Sequence, residues 1–436
     1  MDLELSPRYL EFRDECRTWL HANRPAEPPA SMDSAAGFEE HRLWERTLFE
    51  GGWSVPAWPS AYGGRDCDLI EWLIYEEEYW LSGVPGRVSA NGVSLLAPTI
   101  FNFGTQAQQD YFLPRMASGE QIWAQGWSEP EAGSDLAGIK TNAVRDGDDY
   151  VINGQKTWCS RGKYADWIFC IVRTDPTAER HAGLSYLLVP ADAPGMTRRT
   201  IKRLDQESGF AEIFFDDCRV SADNVLGEPG QGWAVAMAAA GSERGLSLRS
   251  PGRFMAAAER LRELATAGAA IGTAGAATGT AGAATGTAGA AIGTADAATG
   301  TADAATGTAG AAIGTAGAAT GTAVNETGSG LDLRLRDEVV DAWIRAEAYR
   351  WQTYFVAAEL MAGGDLGSEA SLMKVFWSEM DLELHATALR LLGDDAEVPS
   401  DWLDGYVFAL GGPIYAGTNE IQRNIIAERV LGLPRR

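Results

Sequence analysis

Histidine and cysteine are scarce in this chain of 436 residues, and their scatter rules out several chemistries. The four histidines (His21, His41, His181, His385) stand singly, and the five cysteines (Cys16, Cys67, Cys159, Cys170, Cys218) form no C-x-x-C pair. Metal centres and disulfide frameworks need clustered ligands or paired spacings, so neither is expected. G-x-S-x-G is absent too, and with so few histidines a hydrolase triad has no support. Positive charge is short: Lys+Arg 36 against Asp+Glu 60 leaves a net −24, a surface that repels phosphate backbones and anionic lipid. Nucleic acid is therefore excluded as a partner. No apolar run approaches the ~18 residues of a membrane span, and the opening Met-Asp-Leu-Glu-Leu-Ser lacks the basic and apolar regions of a signal peptide. These absences predict a cytoplasmic protein without membrane insertion.

What is present is the balance of a globular protein, 45% hydrophobic and 22% charged. Over residues 1–122 apolar residues recur at helical spacing, as in Tyr9-Leu10-Phe12-Cys16-Trp19-Leu20 and from Leu69 to Trp80. From 123 to 227 the period shortens. Tyr150-Val151-Ile152 runs into Asn153-Gly154 and returns in Lys156-Thr157-Trp158, which reads as a hairpin, and strand-like runs follow at Trp167–Val172, Leu184–Val189 and Ala211–Phe215. This predicts a small antiparallel β domain. After Glu228-Pro229-Gly230 the pattern is helical again over 228–436: Trp233 to about Leu264, Leu331 to Met361, Ser368 to Leu392, and a terminal helix that Thr418 would cap. Neither βαβ alternation nor G-x-G-x-x-G nor a P-loop occurs, so a Rossmann or P-loop site is excluded.

One stretch belongs to none of these. From 267 to 322 the heptad A-[GD]-A-A-[TI]-G-T repeats eight times, with isoleucine at 271, 292 and 313 as its largest side chains. Such a segment buries too little apolar surface to offset its ordering entropy. It is expected to be a disordered surface insertion without chemistry, and closing even a long loop costs little.

Several segments, in order, then resemble one family. They are Gly52-Trp53-x-x-Pro56-x-Trp58-Pro59-x-x-Tyr62-Gly63-Gly64, Gly104-Thr105-x-x-Gln108, Ser128-Glu129-Pro130-x-Ala132-Gly133-Ser134-Asp135, Asn153-Gly154-x-Lys156-x-Trp158, Phe214-Phe215-Asp216-Asp217-Cys218-Arg219-Val220 and Gly230-Gln231-Gly232-Trp233. Together they resemble the flavin-dependent acyl-CoA dehydrogenases over 1 to about 265 and 331 to 436. The resemblance implies an α+β fold: an N-terminal helical domain (1–122), a middle β-barrel or sandwich that binds flavin and acyl-CoA (123–227), and a C-terminal four-helix-bundle domain (228–436) interrupted by the repeat. It also implies FAD as cofactor, an acyl-CoA substrate, an electron-transfer flavoprotein as acceptor, and a homo-dimer or homo-tetramer.

An isoalloxazine ring needs a flat apolar wall, hydroxyl or amide donors, and exclusion of water. Trp158 with Cys159 and Ser160 answers the first two. By resemblance Trp158 packs against the ring, Ser160 sits on its N5 side, Trp127 and Ser128 meet its pyrimidine edge, and Thr418 adds a further cofactor contact. Ser134 falls where relatives touch flavin or CoA. Taken singly, Trp158 is an ordinary core aromatic and the serines ordinary turn residues; their order favours the functional reading.

Dehydrogenation at Cα–Cβ needs a carboxylate to take the α-proton while the β-hydrogen leaves as hydride. In much of the family that glutamate lies in a Tyr-Glu-Gly-Thr loop, but here the loop is Tyr415-Ala416-Gly417-Thr418. Members acting on branched or long chains carry it earlier, in a Glu-Arg pair, and Glu243-Arg244 stands in that place. Glu243 is the candidate base, with Ser134, Arg244, Ala416 and Gly417 as substrate contacts. The family's Arg-x-x-Phe-Gly segment is missing, and Arg390-Leu391-Leu392-Gly393-Asp394 replaces Gln-x-x-Gly-Gly. Both belong to the FAD site that a neighbouring subunit completes, so a hetero-oligomer with a second dehydrogenase-like subunit is the first alternative. An oxidase or monooxygenase using the same flavin is the other.

Overall fold

The computed structural model describes residues 5–244, 250–267, 332–364, 367–368 and 370–435. The repeat at 267–322 falls outside them beyond its first residue. The described chain divides into two compact units, one of Met1–Arg253, Arg350–Phe376 and Pro413–Arg436, the other of Phe254–Tyr349 and Trp377–Gly412.

The first unit opens with α1 (Pro7–Asn23), α2 (Ala35–Glu50), α3 (Leu69–Leu81), α4 (Ala97–Phe103) and α5 (Gln106–Ala117). Local signals explain their starts. Pro7 occupies the first turn of α1, Ser34 caps α2 by accepting the Gly37 N–H, and Asp68 with Glu71 and Thr105 with Gln108 form capping boxes on α3 and α5. Phe12, Cys16, Leu20, Trp44, Leu48, Trp53, Ile74, Tyr75 and Tyr79 form an apolar core shared by α1, α2 and α3.

Seven strands follow: β1 (Trp123–Gly126), β2 (Asn142–Asp146), β3 (Asp149–Ser160), β4 (Trp167–Arg173), β5 (Leu184–Pro190), β6 (Met196–Ile201) and β7 (Phe210–Ser221). Their order is β1-β4-β2-β3-β7-β6, with β5 on β4. Most pairs are antiparallel, but β1 runs parallel to β4, and β2 meets β4 in parallel at Asn142 and Arg173. One face closes on Ile152, Ile168, Cys170, Leu187 and Ile213; Phe169, Ile171, Tyr186 and Leu188 on the other join a core with Leu95, Ile100 and Phe112. Burial on both faces is why β4 and β5 are continuous apolar runs.

The hairpin expected at Asn153-Gly154 is not there. Those residues lie inside the single strand β3, and the turn is Gly147-Asp148, where Asp146 pairs with Asp149. Two facts account for the difference. Gly154 has φ +143, and a Cβ there would stand 2.7 Å from the Cα of Thr141, so glycine serves a close backbone approach. Asn153 meets a bulge in β7 at Asp217, whose φ is +47: its side chain donates to the Asp217 carboxylate (3.0 Å) and accepts the Asp217 N–H (2.8 Å).

Helix α6 (Gly232–Arg244) adds Val235, Ala236, Ala239 and Ala240 to the core shared with β4 and β5. The single helix expected from Trp233 to Leu264 is interrupted, since Ser250 is not helical and a second helix covers 251–267. Pro251 disfavours helical backbone at the residue before it, and the Ser250 hydroxyl accepts the Gly252 N–H. Helices Leu333–Met361, Ala370–Leu392, Asp401–Ala409 and Asn419–Ile425 complete the chain. Within the second unit Phe254 packs on Tyr349 and Trp377, and Gly405 abuts His385. In chain order the fold is a helical N-terminal part, a curled β domain and a helical C-terminal part.

Candidate active site

Beyond Gly126 the chain leaves β1 as a strap, Trp127-Ser128-Glu129, that lies against the end of β3. The Thr157 N–H donates to the Ser128 carbonyl (2.9 Å), and the Lys156 ammonium donates to the Trp127 carbonyl (3.1 Å) and the Glu129 carboxylate (2.8 Å). Glu129 also accepts the N–H groups of Lys140 (2.6 Å) and Thr141 (2.9 Å). Lys156 is fully buried and Glu129 nearly so. Burial pushes the Lys156 pKa down. Burial alone would raise that of Glu129, but the Lys156 charge and the backbone donors hold it below the usual range.

Two residues past Lys156 the strand changes face. Lys156 pairs with Ile213 but Cys159 with Ala211, so β3 carries one extra residue, and Trp158 stands in the left-handed region at φ +59. The bulge turns its indole outward, 60% exposed, with Phe210 against it edge-on at 5.8 Å. Ser160 is half-buried one step further on. Cys159 points the other way, fully buried among the β-domain side chains, and burial raises its thiol pKa. Any contact Cys159 makes with a ligand is through its backbone. The Trp127 indole is buried and donates to the Tyr186 hydroxyl (3.3 Å), which leaves Ser128 as the half-buried side chain of the strap.

Strap and bulge thus bring Trp127, Ser128, Trp158 and Ser160 into one region. Ser134 lies beyond the strap in an exposed turn, next to Asp135, which is paired with Arg180. Ala416 (φ +57) and Gly417 (φ +79) are two successive left-handed residues on a second loop. Gln422, buried, holds that loop by donating to the carbonyls of Ala416 (3.0 Å) and Gly417 (3.3 Å), and Thr418 caps Asn419–Ile425 by accepting the Ile421 N–H (3.3 Å). Lys374, also buried, donates to Asn419 (2.7 Å). Glu243 and Arg244 end helix α6, with side chains outside the described residues. Among the described residues no group of His, Cys, Asp and Glu could hold a metal, and no helix is long and apolar enough to cross a membrane.

Family models for the N-terminal, middle and C-terminal domains of acyl-CoA dehydrogenase match residues 6–120, 124–218 and 293–431. Acyl-CoA dehydrogenase IpdE1 of Mycobacterium tuberculosis is 35% identical over 98% of both chains. The chain belongs to the acyl-CoA dehydrogenase family. Acyl-CoA dehydrogenase FadE26 of the same organism is 30% identical over 100% of this chain and 99% of its own. Among solved structures, the ChsE4-ChsE5 complex from Mycobacterium tuberculosis is 27% identical with a TM-score of 0.77 over 100% of both chains.

As an acyl-CoA dehydrogenase the protein is an oxidoreductase of a flavoprotein family. The site's most buried charged pair, Lys156 with Glu129, escaped the sequence reading. Both residues lie in the quoted motifs, but only contact shows that they face each other.

Proposed function

We propose that this dehydrogenase carries out FAD-dependent α,β-dehydrogenation of an acyl-CoA thioester to the 2-enoyl-CoA. The observation that carries this reading is Trp158: a large indole held open to solvent by a β-bulge, beside the strap and within two residues of the Ser160 hydroxyl. A rigid exposed aromatic face with flanking hydroxyls and backbone donors fits a flat polar-edged ring. Trp127, Ser128, Trp158, Cys159, Ser160, Ser134 and Thr418 would hold it. FAD, when bound, supplies the acceptor for the hydride leaving Cβ.

The chain's own residues do the rest. Glu243 takes the α-proton, Ala416 and Gly417 present backbone to the thioester, and Ser134 and Arg244 hold CoA. Ala416 carries no carboxylate, so the base must come from elsewhere, and Glu243 stands where branched- and long-chain members place it. The β domain at 123–227 would carry both flavin and acyl-CoA, with an electron-transfer flavoprotein as the acceptor, in the cytoplasm.

The test is an anaerobic spectrum of the purified protein with a panel of acyl-CoA esters. Bleaching of the flavin bands by one of them is expected, and Glu243→Gln should slow that step by roughly 10²- to 10⁴-fold. Bleaching at the unaltered rate in the variant would remove Glu243 from the mechanism.

A second reading keeps the chemistry and divides the site between two different chains. Ala416 and the replaced Gln-x-x-Gly-Gly segment support it, and the ChsE4-ChsE5 relative was solved as a complex of two named chains. Co-expression with a second dehydrogenase-like chain from the same source should then raise flavin content. A homo-oligomer with a full complement of FAD would exclude it.

A further inference from the structure

The pair Lys156–Glu129 has no part in the chemistry above, yet it occupies the point where the two walls of the flavin site meet. We propose that Lys156 and Glu129 are positioning residues that set the Trp127-Ser128 strap against the Trp158 wall. The inference rests on the flavin reading of that site.

The argument begins with cost. A pair this deeply buried gives up two hydration shells and gains no more stability than apolar side chains of the same volume would. Stability alone therefore does not account for it. The bonds show what it does instead. The β1 register ends at Gly126 opposite Cys170, and beyond that the strap is not a ladder strand. Three segments converge on the two side chains: the strap through the Trp127 carbonyl, the approach to β2 through the N–H groups of Lys140 and Thr141, and β3 through Lys156 itself. Beside them the Thr157 N–H donates to the Ser128 carbonyl, a backbone contact between strap and β3.

Lys156 also stands where the bulge begins. The next register position is Cys159, so a shift of the ammonium moves the start of the turn that aims Trp158. Loss of the pair should leave a foldable domain whose strap and indole are no longer held at one spacing. Supporting residues behind a ligand-holding shell are worth about 10- to 100-fold in affinity, and the same scale is expected here.

The experiment uses the full chain as wild type, as the double variant Glu129→Gln/Lys156→Met, and as Glu129→Asp, which keeps the charge but shortens the reach. Each is stripped of flavin and titrated with FAD, the visible spectrum is taken at saturation, and the flavin-free melt is recorded. The double variant should melt near the wild type, bind FAD about tenfold or more weakly, and show a shifted flavin band. Glu129→Asp should show the same changes in smaller measure. A variant that melts lower but binds FAD with unaltered affinity and spectrum would make the pair merely structural and overturn the proposal. If the double variant does not fold, Glu129→Asp decides by the same two readouts. A wild type that takes up no FAD, alone or with a co-expressed partner, would instead sink the flavin reading, and the inference with it.

Discussion

Trp158 can be told from a core residue by measurable quantities. An aromatic placed for packing would be buried, yet this one keeps 60% of its surface and has its edge-on neighbour Phe210 at 5.8 Å. Such a ring pair is worth about 0.5–1.5 kcal/mol beyond the area it buries, so Trp158→Ala should cost the flavin-free protein about that plus the share of its buried surface, short of the roughly 3–5 kcal/mol of a fully buried aromatic. Stacking on a planar ring is worth roughly 1–3 kcal/mol, and FAD affinity should fall by that amount. Melting without flavin and titration with it measure the two separately; a large loss of stability with unaltered affinity would return Trp158 to the fold. The identity of Trp158 was legible in the motif, but its direction was not, because alternation along β3 puts Lys156 and Trp158 on one face. Only the bulge, set by pairing with the distant β7, sends one inward and the other out. Cys159 and Trp127 teach the same lesson, since each adjoins a recognisable motif with its side chain turned to the core.

At the scale of elements, what is local was legible and what is paired was not. Apolar spacing marked α1 and α3, and the apolar runs of β4 and β5 stood out because both faces are buried. Asn153-Gly154 misled because the same dipeptide that suits a tight turn also suits a close crossing of strands. The structure uses it for the second purpose, with the missing Cβ of Gly154 facing the backbone of Thr141 at 2.7 Å. Gly154→Ala should therefore cost about 1–3 kcal/mol, because the new methyl meets the Thr141 Cα at 2.7 Å as well as its Oγ1 and Cβ, and the backbone atom cannot turn away. Gly133→Ala, with nothing within 4 Å of the new methyl, should stay within about 0.5 kcal/mol. Denaturant midpoints of the two variants test this, and equal shifts would mean that the β2–β3 crossing is not tight. The break at Ser250-Pro251 was available in the sequence too, since Pro251 restricts the residue before it. The helical periodicity continuing on both sides obscured it.

For the whole molecule, the order of helices, β domain and helices followed from the change of period near 123 and 228, because each switch is long enough to outweigh local exceptions. The candidate site was less legible, since it joins segments nearly 30 residues apart in the motifs at 127–129 and 156–160, and the proposed base Glu243 stands a further 80 or so residues on. The same distance makes the pair at its centre matter to the response of the whole chain to acid. The Glu129 carboxyl titrates lower folded than unfolded, so the stability it contributes is present above its unfolded pKa of about 4.3 and is lost as pH falls through the folded value. Acid also removes part of the net −24, which relieves repulsion and acts in the opposite sense. High salt screens that long-range term far more than the buried pair. In about 1 M salt, stability plotted against pH from about 5 to about 3 should therefore fall more steeply for the wild type than for Glu129→Gln/Lys156→Met. The difference should approach one proton, or at most about 1.4 kcal/mol per pH unit. Parallel slopes would show that Glu129 keeps an ordinary pKa in the folded protein, and that the strap is not held by a charged pair.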